Sequence, residues 1–157
     1  MAIQMNKVVY PTDFSEFSRY ALRYAREFSE AFRAELHCIH VVEGFYTYEA
    51  GIPGDEGTVL PIGGNMIDLA GQQMRQFADV YLAGLEVPPI TRVLSGNAFV
   101  EIIRYAREVE ADLIVIGTHG RSGLSHMLLG GTTEKVVRKA PCPVLSIRHP
   151  EHEFTMP

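Results

Sequence analysis

The sequence predicts an α/β fold: a doubly wound, five-stranded parallel sheet of the Rossmann-like or flavodoxin-like kind, with helices on both faces. Two observations support this prediction. Segments with strand character alternate with segments of helical period along the chain, which is typical of parallel sheets. The run Leu113–Ile116 is apolar without interruption, as expected of a strand buried on both faces.

Five strands are predicted from apolar runs and from the residues that end them. Pro11 ends the first strand, and Pro141 and Pro143 flank the last, because proline cannot donate a hydrogen bond inside a sheet. The strands are expected at 7–10, 35–42, 90–94, 113–116 and 144–147.

Four helices are predicted between these strands from apolar residues spaced by three and four. Asp13 precedes Glu16 by three residues, a variant of the capping box that marks the start of the first helix. The expected buried face of that helix carries Phe14, Phe17, Ala21, Tyr24, Phe28 and Phe32. The second is expected over 66–85, with Ala70, Met74, Phe77, Tyr81 and Leu85 inward. The third follows Gly96, and the fourth is expected over 132–139.

Length and composition limit the classes of protein to consider. The 157 residues suit a single domain, 1–157. A net charge of −5 argues against a general nucleic-acid binder, and no apolar stretch approaches the ~20 residues of a membrane span. Met1–Lys7 lacks the layout of a secretory signal, and Cys38 and Cys142 lie in apolar runs, as buried reduced thiols do. We therefore expect a cytoplasmic protein without nucleic-acid or membrane partners.

Residues 43–65 interrupt the alternation of strands and helices. Glycine and proline crowd this segment, which shows neither helical nor strand period. A connection of this length is typical of a functional lid or a mobile surface loop, and a tolerated insertion explains it equally well.

A spaced set of glycines follows the fourth predicted strand. Gly117 and Gly120 are separated by two residues, and Gly130 follows after nine more. Glycines let the backbone approach a ligand closely, and the free N–H groups at a helix start favour an anion. This spacing differs from the Walker and dinucleotide fingerprints, but it indicates a phosphate-binding loop.

Four segments, in this order and spacing, resemble the universal stress protein family. They are Val8–Ser15, His40–Val42, Gly117–Gly130 and Ala140–Leu145. The resemblance covers nearly the whole chain except residues 43–65 and the tail. It implies a homodimer of doubly wound α/β subunits, in a family of which some members bind ATP and others do not.

The resemblance also implies a set of nucleotide-binding residues. In members that bind ATP, a serine or threonine follows the third glycine of the motif, whereas this chain has Gly131 there; Thr133 fits the next hydroxyl position. Losing one hydrogen bond should weaken binding without abolishing it. The expected site comprises Pro11, Thr12, Asp13, Val41, Gly117, Thr118, His119, Gly120, Arg121, Ser122, Gly130, Gly131, Thr132 and Thr133.

Several of these residues have a structural role as an alternative. Asp13 is expected to accept hydrogen bonds from ribose or adenine; capping the first helix is the alternative, and the two roles can coexist because a carboxylate has two oxygens. Val41 either walls the base or belongs to the core. Arg121 either contacts the phosphates or is a solvated loop residue. His119 is expected to shape the turn, because no second ligand near it completes a metal site.

The leading hypothesis is a cytosolic stress-response regulator that binds ATP, with Mg²⁺ held mostly by the phosphates and water. The sequence has no Walker lysine and no identifiable water-positioning residue near the loop, so we expect slow hydrolysis at most. The last strand, Val144–Ile147, is expected to pair across a two-fold axis in a homodimer, and a protein partner of unknown identity is expected. The alternatives are a dimeric scaffold of the same fold that binds no nucleotide, an ATP-consuming enzyme and a flavin carrier.

Overall fold

The computed structural model describes residues 2–44, 64–118 and 131–150. Within them, strands and helices alternate along the chain. Their bounds are β1 Lys7–Pro11, α1 Glu16–Phe32, β2 Glu35–Val42, α2 Gly64–Tyr81, β3 Ile90–Ser95, α3 Ala98–Glu108, β4 Leu113–Gly117, α4 Gly131–Lys139 and β5 Val144–Ile147. The sequence-based strand bounds agree with these to within one residue.

The strands form one sheet in the order β3-β2-β1-β4-β5. Every adjacent pair is parallel. The chain adds β2 and β3 on one side of β1, then crosses back and adds β4 and β5 on the other. The predicted fold class is confirmed, and the strand order is the Rossmann order rather than that of flavodoxin.

Two helices cover each face of the sheet. Because side chains alternate along a strand, Val8 and Tyr10 pack into a cluster with α1 and α2, while Val9 packs into a second cluster with α3. Val8, Val9 and Tyr10 are all fully buried. The central strand is therefore enclosed on both faces, as its position between β2 and β4 requires.

The start of α1 differs from the sequence prediction. The N-cap is Ser15, whose side chain accepts the N–H of Ser18, and the predicted cap, Asp13, instead accepts the N–H of Ser15. Phe14 has a left-handed backbone conformation, with φ of 63°. This conformation separates Asp13 from the helix, so the predicted capping box does not form.

The buried face of α1 also differs from the predicted aromatic stripe. Its fully buried members are small or aliphatic: Ser18, Ala21, Leu22, Ala25 and Ser29. Tyr24 and Phe32 are exposed. Small residues let the helix approach the sheet closely, so the bulky rings lie along its flanks.

The second helix begins and ends earlier than predicted. It ends at Tyr81, so Leu85 lies beyond it. Ala70, Met74 and Phe77 are buried as predicted. In the described part of the chain, no helix is long and apolar enough to cross a bilayer.

Both cysteines are free thiols, as predicted. Cys38 is fully buried in β2, opposite Tyr10 of β1. Burial raises the pKa of the Cys38 thiol from 9.0 to about 12 and also raises the pKa of Tyr10. Both groups are therefore held in their neutral forms inside the core.

Alkaline pH should destabilise the fold through Cys38. Above pH 9.0, the unfolded chain loses a thiol proton that the folded chain keeps until about pH 12. Cys38 alone should therefore lower the free energy of unfolding by up to about 1.4 kcal/mol per pH unit in this window, and Tyr10 should add to this effect above its ordinary pKa of 10.0. Urea denaturation at a series of pH values measures this slope, which Cys38→Ala should reduce. Cys142→Ala, at a half-buried position, should keep most of it; equal slopes in the wild type and Cys38→Ala would contradict the assignment.

Candidate functional site

A cavity of about 810 Å³ opens at the carboxyl ends of the strands. Its described walls come from the ends of β1, β2 and β4 and from the N-terminal parts of α2, α3 and α4. The strand order reverses between β1 and β4. Open α/β sheets bind ligands in the crevice beside such a reversal.

Eight of the fourteen predicted site residues line this cavity: Pro11, Thr12, Asp13, Val41, Gly117, Gly131, Thr132 and Thr133. Thr118 is buried, its N–H donates to the carbonyl of Ile147, and it is not among the described lining residues. The remaining five, His119, Gly120, Arg121, Ser122 and Gly130, lie outside the described residues.

The turn between β1 and α1 is fixed by hydrogen bonds centred on Thr12. Its N–H donates to the carbonyl of Ile39 at 2.9 Å, which extends the ladder with β2 by one residue. Its hydroxyl accepts the N–H of Phe14 and bonds to the hydroxyl of Ser18 at 2.9 Å. The Ser18 hydroxyl donates to the carbonyl of Ser15, so Thr12 is the donor of that pair. Both of these hydrogen bonds of the Thr12 hydroxyl lie within the turn. Thr12 therefore contributes mainly its backbone to the cavity wall.

Asp13 lies in the cavity wall directly after this turn. Its Oδ1 atom accepts the N–H of Ser15 at 3.0 Å. The carboxylate therefore stabilises the turn that precedes α1, although the N-cap of this helix is Ser15. A carboxylate has two oxygens and several acceptor positions, so this one bond does not by itself use all of them.

His40 is a cavity residue that was not included in the predicted site. Its Nδ1 atom lies 2.8 Å from the carbonyl of Thr12. Since a carbonyl can only accept, Nδ1 carries the hydrogen. The ring also packs against Phe14, with centroids 4.4 Å apart. His40 therefore supports the turn that carries Asp13.

The two histidines of β2, His37 and His40, lie on opposite faces of the sheet, because residues three apart in a strand point to opposite sides. His37 is buried on the other face, where Nδ1 bonds to the Tyr105 hydroxyl at 2.9 Å. Burial lowers the pKa of His37. Strand alternation could therefore have identified His40 as the histidine near the helices α1 and α2.

Glu43 is a second cavity residue that the sequence analysis missed. Its Oε1 atom accepts the N–H of Ala98 at 2.9 Å, across 55 residues of sequence. Asn97, the N-cap of α3, makes no side-chain capping bond. The carboxylate of Glu43 takes that role instead, and no local sequence signal reveals such a distant pairing.

The start of α4 forms the opposite wall of the cavity. The Thr133 hydroxyl donates to the carbonyl of Gly117 at 2.7 Å and is buried. This bond ties the end of β4 to the first turn of α4. Gly131, the first residue of α4, is exposed, and a Cβ built there would meet no atom of the described residues within 4 Å. The first N–H groups of a helix lack intrahelical partners and favour an anion.

The charged side chains among the described lining residues are Asp13 and Glu43. Both are acidic and belong to the β1 and β2 side of the cavity. An anion held by the described walls would therefore depend on backbone N–H groups at α4, and on a cation bound with it. The β1 and β2 side of the cavity therefore disfavours anions, whereas the α4 side favours them.

Comparison with known proteins identifies the family. The family model described as the universal stress protein family matches residues 5–148. The chain belongs to the universal stress protein family. This stress protein is 33% identical over 147 residues to the universal stress protein MJ0531 of Methanocaldococcus jannaschii, an alignment that covers 94% of this chain and 84% of the relative.

Solved structures of the family share the fold of this stress protein. A universal stress protein in complex with cAMP has a TM-score of 0.68 at 23% identity, covering 93% of this chain and 98% of that one. The universal stress protein from Archaeoglobus fulgidus in complex with dAMP has a TM-score of 0.63 at 22% identity, covering 92% and 98%. Both ligands are adenine nucleotides.

Replacing Thr133 with valine should destabilise the protein. The change keeps the shape of the side chain but leaves the buried carbonyl of Gly117 without this donor, at an expected cost of about 1–3 kcal/mol. Thr132→Val is the matched control, because no hydrogen bond of its hydroxyl is present among the described residues. Urea denaturation of both variants measures how much the hydrogen bond from Thr133 to Gly117 contributes to stability. Equal free energies of unfolding in the two variants would show that the hydrogen bond is unimportant.

Proposed function

We propose that this stress protein is a regulatory protein that binds an adenine nucleotide, ATP with Mg²⁺, in the cavity at the strand ends. The observation that carries the proposal is the first turn of α4, which lines a cavity of about 810 Å³ beside the reversal of strand order. A cavity of this size suits a ligand of the size of a nucleotide. The cAMP and dAMP bound by structural relatives share the adenine base and one phosphate group.

The charges of the cavity favour one orientation of the nucleotide. Asp13 and Glu43 would repel phosphate, so the phosphates should lie at the α4 wall, against Gly131–Thr133. Asp13 would then accept hydrogen bonds from ribose hydroxyls or from the amino group of adenine. Val41 and Ile102, which also line the cavity, offer an apolar wall to the base.

Mg²⁺ would supply the positive charge that the described walls do not. The ion prefers phosphate oxygens and water to an all-protein cage. Asp13 and Glu43 are the acidic lining residues of the described walls, and no group of three metal-binding side chains occurs within the described ranges. We infer binding with slow hydrolysis at most, since the sequence has no Walker lysine and no identifiable water-positioning residue near the glycine loop.

A gain-of-function substitution tests this proposal. Gly131→Ser should tighten the binding of ATP with Mg²⁺ by roughly tenfold, because an added hydroxyl can donate to a charged phosphate oxygen. The space at Gly131 is open, so the variant should fold normally. Isothermal titration with ATP and AMP measures both affinities, and chromatography of the denatured protein identifies any nucleotide carried through purification.

Gly64→Ser is the matched control. Gly64 is likewise the first residue of a helix, α2, with open space at its Cβ position, but it does not line the cavity. Its affinity should equal that of the wild type. If neither the wild type nor Gly131→Ser binds ATP at millimolar concentration, the protein is a scaffold of the same fold that binds no nucleotide.

We also propose that the protein is a homodimer that pairs through β5. This strand lies at the edge of the sheet, and its Val144 and Leu145 are half-buried. The carbonyl of Pro143 accepts the N–H of Ile114 in β4, and the carbonyl of Ile147 accepts the N–H of Thr118, just beyond that strand. By the alternation of a parallel ladder, the N–H of Ser146 points away from the sheet, towards a partner strand. An edge strand with exposed backbone N–H and C=O groups invites pairing with other chains, and a dimer interface would protect it.

Removing that outward N–H should weaken the dimer. Ser146→Pro is expected to give monomers in sedimentation velocity, because proline is tolerated at an edge but cannot donate across the interface. Far-ultraviolet circular dichroism should remain that of the wild type. Ser146→Ala keeps the N–H and should remain dimeric; a dimer that persists in Ser146→Pro would place the interface elsewhere.

A further inference from the structure

Glu43 follows directly after β2, at the part of the cavity wall where α3 begins. The ladder between β2 and β3 extends to the pair Val42 and Ser95, and the N–H of Gly96 then donates to the carbonyl of Val42 at 3.0 Å. Gly96 has a φ of 142°, a conformation that glycine adopts readily. The turn from β3 to α3 is therefore fixed next to the backbone of Glu43.

The carboxylate of Glu43 occupies the N-terminus of α3. Its Oε1 atom accepts the N–H of Ala98, the first residue of that helix, at 2.9 Å. The N-cap residue, Asn97, makes no capping hydrogen bond with its own side chain. Because the N-terminus of a helix favours negative charge, a carboxylate bound there takes the place that an external anion would occupy.

The negative charge of Glu43 has no partner of opposite charge within the described ranges. None of the ion pairs between described residues includes Glu43. The lining residues that flank it on β2 and α3 have uncharged side chains: Val41, Val42, Gly44, Ala98 and Ile102. Glu43 is itself exposed, so its charge acts on a ligand bound at this end of the cavity.

The two helices α3 and α4 therefore treat anions differently, although both begin at the cavity. The lining residues of α4 are uncharged and include its first residue, Gly131. The lining at the start of α3 already contains a carboxylate. A ligand with one anionic end can place that end at α4, whereas a second anionic group at the other end of the ligand would meet Glu43.

We propose that Glu43 determines the specificity of the nucleotide site by rejecting nucleotides that carry a second phosphate on the ribose. With the 5′-phosphates at α4, the ribose and base extend towards Val41 and Ile102, next to Glu43. A phosphate monoester carries a charge of about −1.5 to −2 near neutral pH, so a ribose phosphate is repelled there. A free ribose hydroxyl can instead donate to a carboxylate.

This inference rests on the proposed nucleotide binding and names the class of nucleotide that the site selects. Doubly wound sheets that bind dinucleotides discriminate by the same chemistry. An acidic side chain in them accepts a hydrogen bond from a ribose hydroxyl, whereas an arginine nearby accommodates a ribose phosphate. In this chain, the hydrogen bond to Ala98 restricts where the carboxylate of Glu43 can lie.

Isothermal titration with AMP, adenosine 2′,5′-bisphosphate and adenosine 3′,5′-bisphosphate tests the proposal. The three ligands share the 5′-phosphate and differ only in the ribose phosphate. The wild type should bind AMP at least about tenfold more tightly than one or both bisphosphates. Glu43→Gln should reduce this ratio to about two or less, because the amide oxygen can still accept the N–H of Ala98 but carries no charge. Added 1 M salt should also reduce the wild-type ratio, because it screens exposed charges.

Two further variants make the result specific. Glu108→Gln removes the same charge from an exposed residue at the other end of α3, outside the cavity, and should keep the wild-type ratio. Glu43→Lys should invert the ratio, so that the rejected bisphosphate binds more tightly than AMP. Urea denaturation measures whether each variant is folded.

The outcomes separate this inference from the proposed function. If the wild type binds both bisphosphates as tightly as AMP, nucleotide binding stands and the role of Glu43 is overturned. A ratio that stays the same in Glu43→Gln would also overturn it, since the site would then reject the second phosphate by its size and not by its charge. If the wild type binds neither AMP nor ATP, the proposed function fails, and this inference fails with it.

Discussion

The backbone ladder that holds β1 between β2 and β4 is the constraint on which the rest of the molecule depends. It continues one residue past the strand, through the N–H of Thr12 and the carbonyl of Ile39. The turn after β1 is thereby fixed, while β4 on the other side leads to the opposite wall. Strands that diverge in this way leave a crevice between their ends, and the N-terminal parts of α2, α3 and α4 complete its walls.

The two sides of the site offer opposite kinds of hydrogen-bonding group. On the β1 and β2 side, carboxylates accept hydrogen bonds from backbone N–H groups: Asp13 from Ser15, and Glu43 from Ala98. On the α4 side, the donors are the backbone amides themselves. This division suits a ligand with a neutral, hydrogen-bonding end and an anionic end, and it would let the proposed site hold phosphate without a Walker lysine.

Sequence reasoning recovered the strands and the fold class because apolar runs and proline breakers are local signals. It placed β2 and β5 at their observed bounds. It failed at the start of α1, because the left-handed conformation of Phe14 is not encoded by a residue type that favours it. It also missed His40 and Glu43, whose partners are distant in sequence and meet only in the folded chain. The eight predicted residues in the cavity were found through the resemblance to a known family, not through periodicity.

The state of the two thiols has a practical consequence for chemical labelling. Cys38 is enclosed in the sheet, and burial also raises the pKa of the half-buried Cys142. Since the thiolate is the reactive form, both native cysteines should react slowly with maleimide near neutral pH. A fluorophore or spin label can therefore be attached to a single new surface cysteine without first removing the native ones. The protein is in this sense ready for site-specific labelling at a helix or at a strand end.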